Sequence, residues 1–261
     1  MQRSLFDEIL QAVCSHDRYF IQKRDCTGLL GASSHQKVTC ALRMLAYATS
    51  ADQLDEYIRL AESTVLKTLH RFCQAIIDVF GDTYLRTPNK DDLQKILMLH
   101  SQRGWVGCLG SLDVMKWEWK NCPMAWRGQF QSGKDTHPTI GLEAVVDCRL
   151  WFWHAYIGVP GAINDINILD QSPLFVELMQ GKAPKVTFLV NNNVYEMGYY
   201  LTDGVYPKWK VLMQTIPEPL GRKQKLYAKL QEGQRKDVER AFGVLQVSLA
   251  DWCLFFYLLL H

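Results

Sequence analysis

Apolar residues recur at helical spacing through the first hundred positions. Leu5, Ile9, Leu10 and Val13 repeat every three to four residues, the one-faced pattern of an amphipathic helix. Residues 38–48 are rich in good helix formers, among them Leu42, Met44, Leu45 and Ala46. A short helix is expected over 51–59. Ser63 is placed to cap a helix over 64–80 with the apolar stripe Val65, Leu66, Leu69, Phe72, Cys73, Ile76 and Ile77. Gly81 is expected to end it. With a turn at 60–62, residues 52–80 resemble a helix-turn-helix. Lys67, His70 and Arg71 fall on the polar face of its second helix. Reading a DNA groove and packing within a helical subdomain both fit that pattern. Pro88, Asn89, Asp91 and Asp92 predict a fresh helix start, and Gly104 its end.

At Trp105 the pattern changes to strand. Residues 108–115, 138–147 and 150–158 are rich in Val, Ile and aromatics, and a hairpin-length connection separates the last two. Residues 165–180 read as a helix. Residues 186–190 form a short apolar run suited to a buried strand, and 199–202 another strand. The chain then reads as loop past Pro207, Pro217 and Pro219, and 226–245 as one long helix. The organisation expected is a helical region over 1–100, an α/β domain over 105–246 and an atypical apolar tail over 247–261. Helices packed on a mixed sheet suit this order. A three-strand meander followed by alternating helix and strand is the order of the ribonuclease H-like fold.

Composition narrows the function classes. The 261 residues carry a formal net charge of only +2, whereas a protein that coats DNA is usually far more basic, so local clusters matter more than the total. The eight cysteines include no C-x-x-C pair and no accompanying His cluster. They are read as reduced, mostly buried thiols, with zinc disfavoured. Arg3, Asp7 and Glu8 near the start do not suit a signal peptide. The apolar run at 253–260 is too short to span a bilayer. A soluble intracellular protein with no membrane association is expected.

Three carboxylates stand in unfriendly places. Asp113 interrupts the apolar run 109–115, and burying a lone ionised carboxylate is costly without a partner or a metal. Asp203 follows the strand at 199–202 and precedes Gly204. Glu239 lies beside the stripe Val238, Phe242 and Leu245 that should face the sheet. Carboxylates at strand ends and on a core-facing helix suit Mg²⁺, which takes a few carboxylates plus water and phosphate oxygens. Two such ions about 4 Å apart serve phosphodiester cleavage. Ordinary capping and salt-bridging carboxylates fit the same spacing.

Four ordered strings change that balance. Residues 110–123 (GSLDVMKWEWKNCP), 161–170 (GAINDINILD), 197–207 (MGYYLTDGVYP) and 235–246 (RKDVERAFGVLQ) resemble the signature segments of the PIF/Harbinger transposases, especially their plant branch. The resemblance runs from about residue 10 to 246. It implies a DDE-type nuclease of ribonuclease H-like fold. Asp113, Asp203 and Glu239 then match the catalytic acids, with Asp165 as a further metal ligand and Asp170 a surface or capping residue. Mg²⁺ or Mn²⁺ as cofactor, double-stranded DNA as substrate and a nuclear location follow from it. So do a Myb-like DNA-binding partner and a possible homo-oligomer.

Basic residues offer DNA contacts around that centre. Arg222, Lys223, Lys225, Lys229, Arg235, Lys236 and Arg240 crowd the last helix, opposed by Glu232, Asp237 and Glu239. Arg235, Lys236 and Arg240 are the candidates for phosphate contact there, with Lys67 and Arg71 in the helix-turn-helix-like segment. Trp117 and Trp119 alternate with charged residues. Packing is their default, and stacking on an unpaired base the alternative. His154, between Trp153 and Ala155, reads as a core or sheet-face histidine.

The chain departs from the family pattern in places. Val114 and Lys116 stand where Cys and His are more usual, and Asn191-Asn192-Asn193 replaces an Asn-Gly turn. Residues 247–261 do not continue the pattern and read as a truncation, a shifted frame or a missed splice. A metal-dependent endonuclease is therefore the first expectation. The alternative is a domesticated, catalytically silent relative acting as a chromatin or transcription-factor partner. A third reading is a DNA-binding module built on residues 52–80.

Overall fold

The computed structural model describes residues 1–47, 49–119, 122–133, 136–163, 165–180 and 184–248, with backbone alone for Asp165, Ile166, Asp170 and Ser248. Most of the 247–261 tail therefore lies outside the described residues. The chain divides into two compact units, Met1–Tyr84 with the chain from Leu245 onward, and Leu85–Val244. Among the described residues, no helix is long and apolar enough to cross a membrane. The seven described cysteines are free thiols: Cys40, Cys73 and Cys108 are buried and Cys26 is exposed.

The first unit contains α1 (Arg3–His16), α2 (Ser34–Tyr47), α3 (Ala51–Ile58) and α4 (Glu62–Tyr84). Their apolar stripes meet in a core that includes Val13, Phe20, Val38, Leu54, Val65, Leu69 and Phe72. Both expected boundaries of α4 move outward. The Val65 amide already donates to Ala61 O at 3.0 Å, so Ser63 lies inside the helix and does not cap it. At the far end α4 continues through Gly81 to Tyr84. A helical glycine costs about 1 kcal/mol relative to alanine, too little to stop a helix with this apolar stripe.

The second unit opens with α5 (Lys90–Gln102), started by a reciprocal cap. Asn89 Oδ1 accepts from the Asp92 amide at 2.9 Å, and Asp92 Oδ2 accepts from the Asn89 amide at 3.1 Å. There follow β1 (Cys108–Glu118), α6 (Met124–Phe130), β2 (Thr139–Val146) and β3 (Phe152–Pro160). Next come α7 (Asp165–Gln171), α8 (Pro173–Met179), β4 (Lys185–Val190), β5 (Asn193–Met197) and β6 (Tyr199–Leu201). β7 (Leu212–Met213), α9 (Gly221–Arg235) and α10 (Asp237–Ser248), the last counted in this unit as far as Val244, complete it. Five strands form one mixed sheet in the order β3-β2-β1-β6-β7. The β1, β2 and β3 pairings are antiparallel, and β6 pairs parallel with both β1 and β7.

Side-chain alternation along β1 assigns the two faces. Leu112 packs in a cluster with Val145, Leu169 and Phe175, which puts α7 and α8 on its side. Ser111 and Trp117 point the other way. Ser111 Oγ donates to Gln234 O of α9 at 3.2 Å, and Trp117 meets Phe242 of α10 edge-on. Asp113 shares the face of Ser111.

Three expected elements differ, each for a local reason. The helix expected at 165–180 splits at Ser172, which is extended at φ −67° and ψ 128°. Pro173 follows it, and a residue before proline is pushed out of the helical region. The run 186–190 is not a buried strand. β4 pairs with β5 in a separate two-stranded sheet, and Leu189 is exposed. Asn191 and Asn192 both take positive φ (50° and 63°) in the two-residue turn, doing what Asn-Gly does because asparagine tolerates that region. The long helix of 226–245 is two helices meeting at Lys236. There the buried Asp237 carboxylate accepts from Arg103 Nη1 at 2.7 Å, and from Gln234 Nε2 and Arg240.

Gly110 sits on β1 against Val146 of β2, at φ 150°. A Cβ there would lie 2.7 Å from Val146 O. Gly110→Ala is expected to lower stability by about 1–3 kcal/mol through this strain, read as a lower urea midpoint with an unchanged slope.

Candidate functional site

The parallel pairing of β1 with β6 brings the first two acids level. Ser111 pairs with Leu201. Two residues further along each strand's path stand Asp113 and Asp203. Asp113 Oδ1 accepts from the Val114 amide at 2.8 Å. Asp203 Oδ1 accepts from the Val205 amide at 2.7 Å, a local turn that holds the acid at the strand's exit.

Helix α9 is stitched across the same strands. Gln231 is buried and its Nε2 donates to Thr202 O at 2.8 Å and Met213 O at 3.0 Å. Ser111 fastens the next turn through Gln234 O. These bonds carry Arg235 to the acids at the end of α9, and α10 brings Glu239. Arg235 Nη1 and Glu239 Oε1 pair at 2.8 Å.

Asp113 registers this crowding. Burial pushes its carboxyl up to about 6, and the negative charges of Asp203 and Glu239 push the same way. The Val114 amide and the Arg235 guanidinium oppose them. Two acids and one arginine therefore act on one half-buried carboxyl. Among the described residues, no three His, Cys, Asp or Glu side chains stand close enough to hold a metal ion as they are arranged. The donors are nonetheless all carboxylate oxygens, which suits a hard divalent cation in kind and in charge. Asp165 opens α7, and its side chain and that of Asp170 lie outside the described residues.

The basic candidates fare differently. Arg71 is committed to Asp17 by two bonds of 2.7 and 2.9 Å. Arg240 is held by Asp237, and Arg235 by Glu239. Lys67 and Lys236 are exposed. Lys67 lies 5.9 Å from the Tyr19 ring centroid. Trp117 and Trp119 both pack on aromatic neighbours, Trp119 between Trp126 and Phe130.

Several polar groups were not anticipated. Asp237 ties α9, α10 and Arg103 together. Glu143 is fully buried on β2, accepting from Ser172 Oγ at 2.5 Å and lying 3.2 Å from His154 Nε2. The signal for it was present, since Glu143 interrupts an apolar strand as Asp113 does. It pairs across from Val114 and so faces the opposite side from Asp113. Glu, His and Ser in contact have the composition of a nucleophilic triad, but not its geometry. Serine and carboxylate approach the same imidazole nitrogen, and Ser172 is buried. Near the β2–β3 turn, Asp147 accepts from Arg149 and from Trp153 Nε1. Burial pushes the neighbouring His100 down to about 4.

Residues 82–250 match the model of the plant transposon protein family. The chain belongs to that family. No curated protein and no solved structure matches it. In this plant transposon protein the matched stretch contains the whole mixed sheet, α9 and α10, hence Asp113, Asp203 and Glu239. Lys67 and Arg71 lie outside it.

The raised Asp113 carboxyl has a consequence for stability. Below about pH 3, under the unfolded value of 3.8, it is protonated folded and unfolded, and the effect vanishes. As pH rises toward 6 the unfolded chain ionises first, so stability falls, and above 6 the full penalty stands. Asp113→Asn removes it. The variant is expected to be more stable than the parent by about 2–3 kcal/mol at pH 7 and equal to it at about pH 3, measured by urea unfolding across that range.

Proposed function

We propose that this plant transposon protein is a divalent-metal-dependent DNA endonuclease of the PIF/Harbinger DDE type. The observation that carries the reading is the crowding of Asp113 by Asp203 and Glu239. Like charges brought together against their own repulsion suit a positive ligand. The strand order β3-β2-β1-β6-β7, antiparallel meander first and parallel strands after, supports a ribonuclease H-like fold.

Asp113, Asp203 and Glu239 would hold Mg²⁺ or Mn²⁺, with Asp165 added by the family resemblance. Such ions, when bound, supply an activated water and neutralise charge on the phosphate. The chain's own residues do the positioning. Gln231 and Gln234 fix α9 over the sheet, and Asp237 at the start of α10 accepts from Gln234 Nε2, which ties the helix that carries Glu239 to α9. Asp113 is ionised above about pH 6 and is then ready as a ligand. Arg235 adds a positive charge beside Asp113, where a DNA phosphate would approach, and Lys236 is exposed next to it. The product would be a cut strand with a 3′-hydroxyl. Target-site reading by a separate Myb-like partner in the nucleus, and a homo-oligomeric assembly, belong to the same proposal.

The second reading, a catalytically silent relative that serves as a chromatin partner, draws on one observation. Glu239 is paired with Arg235, and the acids do not form a ligand group as they stand.

Cleavage of double-stranded DNA in Mg²⁺ or Mn²⁺, with the Myb-like partner supplied, separates the two. The nuclease reading expects cutting by the parent, loss of at least a hundredfold in Asp113→Asn and Glu239→Gln, and a metal-dependent rise in melting temperature that Asp113→Asn abolishes. A folded parent with neither cutting nor a metal-dependent shift would establish the silent reading.

A further inference from the structure

The loop that leaves Asp203 carries a second feature. Lys208, Trp209 and Lys210 are consecutive and exposed. One side of the Trp209 ring rests on Phe175, with centroids 5.6 Å apart and planes at 59°. Two hollows adjoin this segment, and both are lined by all three residues. The first has an apolar wall of Phe175, Leu178 and Met197. The second, about 510 Å³, is also lined by Gly204, the residue after Asp203, and by Gln214 and Thr215, within the size range of pockets that take small organic groups. No acidic residue lines either hollow among the described residues.

The loop is preset. The Trp209 amide donates to Pro207 O at 2.8 Å and the Leu212 amide to Trp209 O at 3.0 Å. Gln214 Nε2 donates to Tyr206 O and, at 3.2 Å, to Pro207 O. Tyr227 OH donates to Gln214 O at 2.9 Å, tying the loop to α9. An aromatic ring already held in place loses little freedom on binding.

We propose that Lys208, Trp209 and Lys210 form a subsite for an unpaired nucleotide next to the scissile phosphate. The base stacks on Trp209 and the two lysines meet the flanking phosphates. Rings with adjacent cations track single strands without reading sequence, because every base has a stacking face. Gly204, which lines the second hollow, follows Asp203 directly in the chain, and that adjacency links the subsite to the acids. That location matters only if the acids cut DNA, so the subsite rests on the nuclease reading.

The test is binding of a labelled single-stranded oligonucleotide and of its duplex to the full chain, by fluorescence anisotropy across a salt series. Trp209→Ala is expected to weaken single-strand binding about five- to hundredfold and duplex binding far less, while Trp209→Phe stays within a few-fold of the parent. Lys208→Gln with Lys210→Gln is expected to lower the salt slope by roughly two phosphate contacts. A folded Trp209→Ala that binds the single strand within twofold of the parent overturns the subsite. So does an equal loss for both probes. Trp209→Ala gives up the Phe175 contact and could fail to fold. In that case an unchanged salt slope in the folded double lysine variant overturns the proposal by itself. Asp113→Asn, run in parallel, keeps the two readings apart. Absent cleavage with a selective Trp209 effect removes the nuclease and leaves a single-strand contact. Cleavage that Asp113→Asn abolishes, with no Trp209 effect, removes the subsite alone.

Discussion

The parallel pairing of β6 with β1 is the constraint on which the rest of the α/β unit depends. It sets Ser111 against Leu201 and so carries Asp113 and Asp203 out at the same level. Two carboxylates so placed repel, and burial on one of them worsens the repulsion. Such an arrangement survives only on a framework stiff enough to impose it. The antiparallel β1–β2–β3 meander supplies stiffness on one side, and Gln231 with Gln234 supplies it from above.

The two faces of the sheet do different work. Toward α7 and α8, β1 and β2 present Leu112 and Val145 to a dry cluster, with Glu143 admitted only because Ser172 and His154 satisfy one of its oxygens. Toward α9 and α10, the same strands present Ser111, Asp113 and Trp117. Polar and charged groups here meet helices whose own polar atoms point down at the sheet. On the first face the buried Glu143 carboxylate is tied to Ser172 and His154 through one oxygen. On the second face Asp113 is a half-buried acid in a charged field, and its carboxyl is pushed up to about 6.

Charges that look alike in a sequence are sorted by this packing. Arg71 and Arg240 satisfy Asp17 and Asp237 and hold helices in place. Lys208 and Lys210 have the same formal charge, yet they flank an exposed ring beside two hollows without acids. Net charge gives no warning of the difference, because paired and exposed cations count equally in the sum.

Periodicity by itself determined where the major helices and the first three strands lie, because apolar spacing is a local property that burial must respect. It also marked Asp113, since a charge inside an apolar strand is costly and therefore conspicuous. Ordered motifs pointed to a transposon family before any coordinate did. What spacing could not carry was decided by contacts distant in sequence. Asp237, where α10 starts, binds Arg103, which lies far back in the chain. The short β7 exists only because β6 offers it a parallel edge. The run 186–190 is apolar enough for a core strand, yet it pairs with β5 outside the main sheet. The convergence of Asp203 and Glu239 on Asp113 is of this kind as well. Each acid is legible alone, but only strand register and a helix pinned by buried amides bring their charges together.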